Sequence, residues 1–118
     1  MSSPPVLDPA TIENLRALSP DDNGEFLREI IGIFLEDTPL RIAELDQSLA
    51  AGDASKFTRA AHSIKGSAAN LGATALGAAA MILEGESKLK PLAEMQPLLG
   101  ALKAEYARAQ VELEKLAQ

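Results

Sequence analysis

The run Ala54-Ser55-Lys56-Phe57-Thr58-Arg59-Ala60-Ala61-His62-Ser63-Ile64-Lys65-Gly66-Ser67-Ala68-Ala69-Asn70-Leu71-Gly72 decides the fold. At about 100° per residue, Phe57, Ala61, Ile64, Ala68 and Leu71 fall within about 40° of one direction. An apolar stripe with that period is the mark of an amphipathic α-helix. Asp53 stands before it as a cap and Gly72 after it as a left-handed stop. On the same wheel His62, the only histidine of the chain, points about 140° away from the stripe. Packing gives an imidazole no reason to be there. Ser55, Thr58, Gly66 and Ala69 lie on its side, and Lys65 lies at the flank.

The neighbouring segments repeat the helical signal. Asp8-Pro9 places a capping carboxylate before a proline, which predicts a short helix through Leu18. Ser19-Pro20 repeats the start signal, with Asp21, Asp22 and Glu25 enriching the first turn. Phe26, Leu27, Ile30, Ile31, Phe34 and Leu35 follow the 3.6 period, and Ile42, Leu45 and Leu49 continue it. Pro39 lies inside that pattern and predicts a kink near Phe34 to Thr38. Ala51-Gly52-Asp53 is a stop and restart. Beyond Gly72, Thr74 is the expected cap of a helix from Ala75 to about Lys88, with Leu76, Ala80, Leu83 and Ser87 inward. After Lys90-Pro91 a last helix is expected from Leu92 to Ala117, its long part starting at Pro97. Its stripe reads Leu98, Leu102, Tyr106, Ala109, Leu113 and Leu116. No strand alternation appears. The expectation is an all-α fold: an antiparallel up-down-up-down four-helix bundle with a short extra N-terminal helix. Residues 1–7 are expected as a flexible lead and residues 8–118 as the bundle domain.

Composition agrees and excludes. The 118 residues suit one domain with a core large enough to stand without metals or disulfides. Aromatics are only 3%, while Ala and Leu dominate, which favours helices. The absence of cysteine removes disulfides, thiolate zinc sites and cysteine nucleophiles. A net charge of −6 argues against a duplex nucleic-acid partner, whose phosphates need Lys and Arg. No secretory signal opens the chain and no apolar run suits a bilayer, so a cytoplasmic protein that does not engage membranes is expected. No Walker-type loop is present, so no ATP site is expected. A zinc site is disfavoured, because one histidine has no acidic ligand on its own helix face.

Two residues then single out the His62 face. Gly66 costs roughly 1 kcal/mol against alanine in a helix interior, yet it lies opposite the packing stripe. A missing side chain one turn from the imidazole lets another protein's backbone approach. Lys65 sits at i+3, where helical side chains are neighbours. Its charge disfavours the imidazolium and favours the nucleophilic neutral ring. The same ammonium suits a phosphoryl group carried on that ring. Ile12, Leu15 and Ile31 are candidates for an apolar docking surface, each being equally plausible as core.

These residues resemble the signature of histidine-containing phosphotransfer (HPt) domains. The resemblance rests on His62-Ser63-Ile64-Lys65-Gly66-Ser67-Ala68-Ala69-Asn70-Leu71-Gly72, supported by Phe34-Leu35-Glu36-Asp37-Thr38-Pro39, Ala51-Gly52-Asp53 and Leu83-Glu84. It implies a two-component phosphorelay intermediate. His62 would accept a phosphoryl group from a receiver aspartate and pass it to another receiver. Lys65 would stabilise charge, Gly66 give clearance and Ser67 add a hydrogen bond. The implied partners are receiver domains of response regulators and of a hybrid histidine kinase. Mg²⁺ would sit on the receiver and no cofactor on this chain. A monomer is expected, as a phosphoryl carrier without its own ATP site. The phosphoacceptor domain of a chemotaxis-type kinase shares the segment Ala61 to Gly66. A receiver-binding adaptor without transfer is the other alternative.

Overall fold

The computed structural model describes residues 4–118. These form α1 (Pro9–Ala17), α2 (Glu25–Ala51), α3 (Ala54–Leu71), α4 (Thr74–Leu89), a 3₁₀ turn (Leu92–Met95) and α5 (Gln96–Leu116). Among the described residues there is no strand. The four long helices pack in a ring: α3 against α2 and α4, with α5 touching both α4 and α2. One core fills the ring, built from Ile31, Leu45, Phe57, Ile64, Leu76, Leu83, Leu102 and Leu113 with their neighbours. Fully burying each of these side chains contributes about 1.5–3 kcal/mol. All five residues of the expected α3 stripe are buried.

The turn between α3 and α4 holds the frame of the site. Gly72 adopts φ 79°, a left-handed conformation in which glycine meets no Cβ penalty. Its N–H and that of Ala73 return to the carbonyls of Ala69 and Ala68, closing the end of α3. Two residues therefore suffice to turn the chain back. Thr58–Ser87, His62–Glu84 and the approach of Gly77 to Ala68 show α4 running antiparallel to α3. α1 packs over this end: the Asp8 N–H donates to the Gly72 carbonyl, and Thr11 lies against Gly72.

Several boundaries differ from the sequence expectation. α2 starts at Glu25, not at Ser19-Pro20. Asn23 and Gly24 both take positive φ, which no helix continues through, and Asp22 accepts the N–H groups of Gly24 and Phe26. α2 then runs unbroken through Pro39 to Ala51. Thr74 begins α4 itself, and its hydroxyl donates back to the Gly72 carbonyl instead of capping. In α5 Leu99 takes the buried position expected of Leu98, which is half-buried at the margin. The 3₁₀ turn drops Met95 into the core, and Leu99 stands one turn beyond it. Met1–Ser3 of the expected lead lie outside the described residues. Pro5–Leu7 are tied down: the Ala75 N–H donates to the Pro5 carbonyl, and Val6 and Leu7 pack on the core.

Candidate functional site

His62 occupies the middle of α3, with buried Ala61 and Ile64 on either side holding the helix to the core. Its side chain is 65% exposed. The wheel of α3 alone does not show what faces it. Glu84 projects from α4, with Oε2 2.9 Å from His62 Nδ1 and Oε1 2.8 Å from Lys65 Nζ. Lys88 Nζ lies 3.7 Å from the same Oε2. Glu84 is only 12% exposed, so its charge is held where water competes little.

The Lys65 ammonium holds the Glu84 carboxyl below the usual carboxylate range, against the opposing effect of burial, and His62 adds to the lowering. Glu84 is therefore an ionised, acceptor-only group at neutral pH. A neutral imidazole facing it donates from Nδ1. This assigns the proton to Nδ1 and leaves the lone pair on Nε2. One turn toward the start of α3, Thr58 and Ser87 clamp the same two helices at 2.7 Å. Ser87 Oγ also donates to the Glu84 carbonyl, so the carboxylate stands on a fixed backbone.

The other expected residues fall out unequally. A Cβ built on Gly66 meets nothing within 4 Å. Alanine would fit, and the empty surface is real. Lys65 lies beside His62 as expected but is engaged by Glu84. Ser67 does not join them. It faces a groove between α2 and α3 with Ile33, Phe34 and Asn70, and makes no hydrogen bond to His62 among the described residues. Ile12 and Ile31 are core residues and Leu15 is half-buried. They do not form a docking surface, because α1 and the first half of α2 turn those positions inward. The exposed apolar side chains include Ile33 on α2 and Met81, Ile82 and Leu89 on α4.

The Hpt domain family matches residues 29–112. The chain belongs to the Hpt domain family. This Hpt domain is similar to histidine-containing phosphotransfer protein B of Pseudomonas aeruginosa PAO1. The two share 28% identity with a TM-score of 0.88, covering 98% of this chain and 97% of the other. Its fold also matches the HPt domain of a sensor hybrid histidine kinase from Shewanella, at TM-score 0.71 and 13% identity over 94% and 92% of the chains. Multistep phosphorelay regulator 1 of Schizosaccharomyces pombe is 33% identical over 69 residues, 58% of this Hpt domain. The Hpt domain spans 23% of that relative's length.

Glu84 was legible only as part of a resemblance. Nothing in the spacing of α4 alone shows a carboxylate aimed at a residue 22 positions earlier. The usable signal was an acid one residue after the buried Leu83, on the flank that two-residue turns bring against α3.

Proposed function

We propose that this Hpt domain is the phosphotransfer intermediate of a two-component phosphorelay, with His62 as the residue that carries the phosphoryl group. Family membership supports this reading, and one observation carries it: an exposed imidazole whose Nδ1 is held by the Glu84 carboxylate at 2.9 Å. Nε2 attacks the phosphorus of a receiver's aspartyl phosphate. The P–O bond to the aspartate breaks, and its electron pair leaves with the carboxylate. The new N–P bond leaves the ring positively charged with its proton still on Nδ1. The Glu84 carboxylate, already ionised and 2.9 Å away, balances that charge without moving.

Such a transfer needs alignment and charge balance more than a dedicated base. The bundle supplies the alignment through the α3–α4 clamps. The receiver supplies the aspartate and the Mg²⁺ that this chemistry uses. The return reaction to a second receiver runs through the same atoms. Gly66 gives a partner's backbone room beside the ring. In this proposal the domain acts as a monomer in the cytoplasm, between the receiver of a hybrid kinase and that of a response regulator. Among the described residues no helix is long and apolar enough to cross a membrane.

The test mixes the domain with a phosphorylated receiver and follows the label. An acid-labile, alkali-stable phosphate on the wild type, absent from His62→Gln, is the expected result. Equal labelling of the two proteins would sink the proposal.

A further inference from the structure

Resting on the reading that His62 carries the phosphoryl group, we propose that Arg59, with Lys88, holds that group, and that Lys65 does not. A shallow depression opens beside His62 toward the start of α3. It is lined by Ser55, Thr58, Arg59, Glu84, Ser87 and Lys88. Lys65 and Gly66 do not line it. Since Glu84 holds Nδ1, the phosphoryl group goes to the other ring nitrogen, and His62 itself lines this depression.

The hydroxyls of Thr58 and Ser87 are spent. Ser87 Oγ donates to the Glu84 carbonyl, so it accepts from Thr58. Neither retains a proton for a phosphate oxygen. Charge selects among the cations. Lys65 is 2.8 Å from Glu84 Oε1 and makes a full ion pair. Lys88 reaches the other oxygen only at 3.7 Å, and Arg59 has no ion pair among the described residues. Glu84 cancels one of the three cations, leaving a surplus of about two positive charges in the depression. A phosphoryl group carries roughly −1.5 to −2 at neutral pH. Arg59 stands at i−3 from His62, within side-chain reach on a helix, and its guanidinium offers two parallel donors to phosphate oxygens. Lys65 then acts as a positioning residue: it fixes and ionises Glu84, which in turn fixes the ring.

The experiment compares wild type, Arg59→Ala, Arg59→Lys and Lys65→Ala. Each is labelled by phosphoramidate and, separately, brought to equilibrium with a phosphorylated receiver. Arg59 is exposed, and unchanged circular-dichroism melting confirms an intact fold. Arg59→Ala is expected to shift the equilibrium about 5–10-fold toward the receiver, with the gap closing at high salt. It should also raise the phosphate titration seen by ³¹P NMR. Arg59→Lys should restore part of both. Lys65→Ala should instead release the Nδ1–H tautomer, seen by ¹⁵N NMR, and leave the ³¹P titration near wild type. A wild type that labels while Arg59→Ala matches it in equilibrium and titration overturns this inference alone. A wild type that accepts no label from either donor overturns the underlying reading as well.

Discussion

Replacing Glu84 by Gln tests the geometry most directly. The substitution keeps volume and removes one charge. In the structure Glu84 holds three cations or donors: His62 at 2.9 Å, Lys65 at 2.8 Å and Lys88 at 3.7 Å. A glutamine oxygen can accept from only one of the two close partners. Its amide nitrogen, placed toward either, presents donor to donor. The loss at His62 is that of a hydrogen bond to a charged acceptor, about 1.5–3 kcal/mol. The transition state, with its positive ring, loses more than the ground state. At 1.36 kcal/mol per tenfold, the full range corresponds to roughly 10–150-fold in transfer rate. His62 is 65% exposed, and water replaces part of the lost bond, so about 10-fold is the expected value. Stability should fall far less. The cations are partly exposed, and such ion pairs contribute about 0.2–1 kcal/mol each. Rapid-quench transfer from a phosphorylated receiver reads the rate, and thermal melting reads the fold. Glu84→Gln transferring within twofold of wild type, with an intact fold, would refute the role assigned to the carboxylate.

Three further outcomes rest on the same structure. Gly66→Ala should raise stability by about 0.5–1 kcal/mol, because a Cβ there meets nothing and alanine favours the helix; it should also slow transfer from a receiver. Denaturant melts and transfer rates measured side by side check this, and an unchanged rate removes the clearance role. Gly72→Ala should cost about 2–3 kcal/mol, since φ is +79° and the new Cβ would lie 2.8 Å from Thr11 Cβ. A melting temperature equal to wild type would contradict the close packing of α1 on that turn. Glu84 has a folded pKa below its ordinary value of 4.5. Its stabilisation is therefore complete above about pH 4.5 and is lost as pH falls through the lower folded value. The stability gap between wild type and Glu84→Gln should accordingly close in acid, as read by denaturation at stepped pH.

The helices were legible because each carries its own apolar period. Phe57, Ala61, Ile64, Ala68 and Leu71 point one way whatever lies opposite, and all are buried. Helix ends were less legible where local signals competed. Ser19-Pro20 reads as a start, yet the left-handed pair Asn23-Gly24 postpones the helix to Glu25. Thr74 reads as a cap, but its hydroxyl finds the Gly72 carbonyl. Leu98 and Leu99 are adjacent leucines, and the phase set by the turn at Met95 decides which is buried.

At the site the division is sharper. The exposure of His62, the open surface at Gly66 and the presence of Lys65 beside the ring all follow from the wheel of a single helix. Those are properties of local geometry, fixed at about 100° per residue. The partner of the imidazole is a property of two helices. Glu84 meets His62 only because a two-residue turn at Gly72 folds α4 back along α3 in one register, clamped by Thr58 and Ser87. That register assigns the ring proton to Nδ1 and turns Lys65 from a free phosphate ligand into the carboxylate's counter-ion. Sequence by itself determined which side chain is offered to solvent. Tertiary structure decided which of its nitrogens is free, because the charge that fixes the proton comes from another helix.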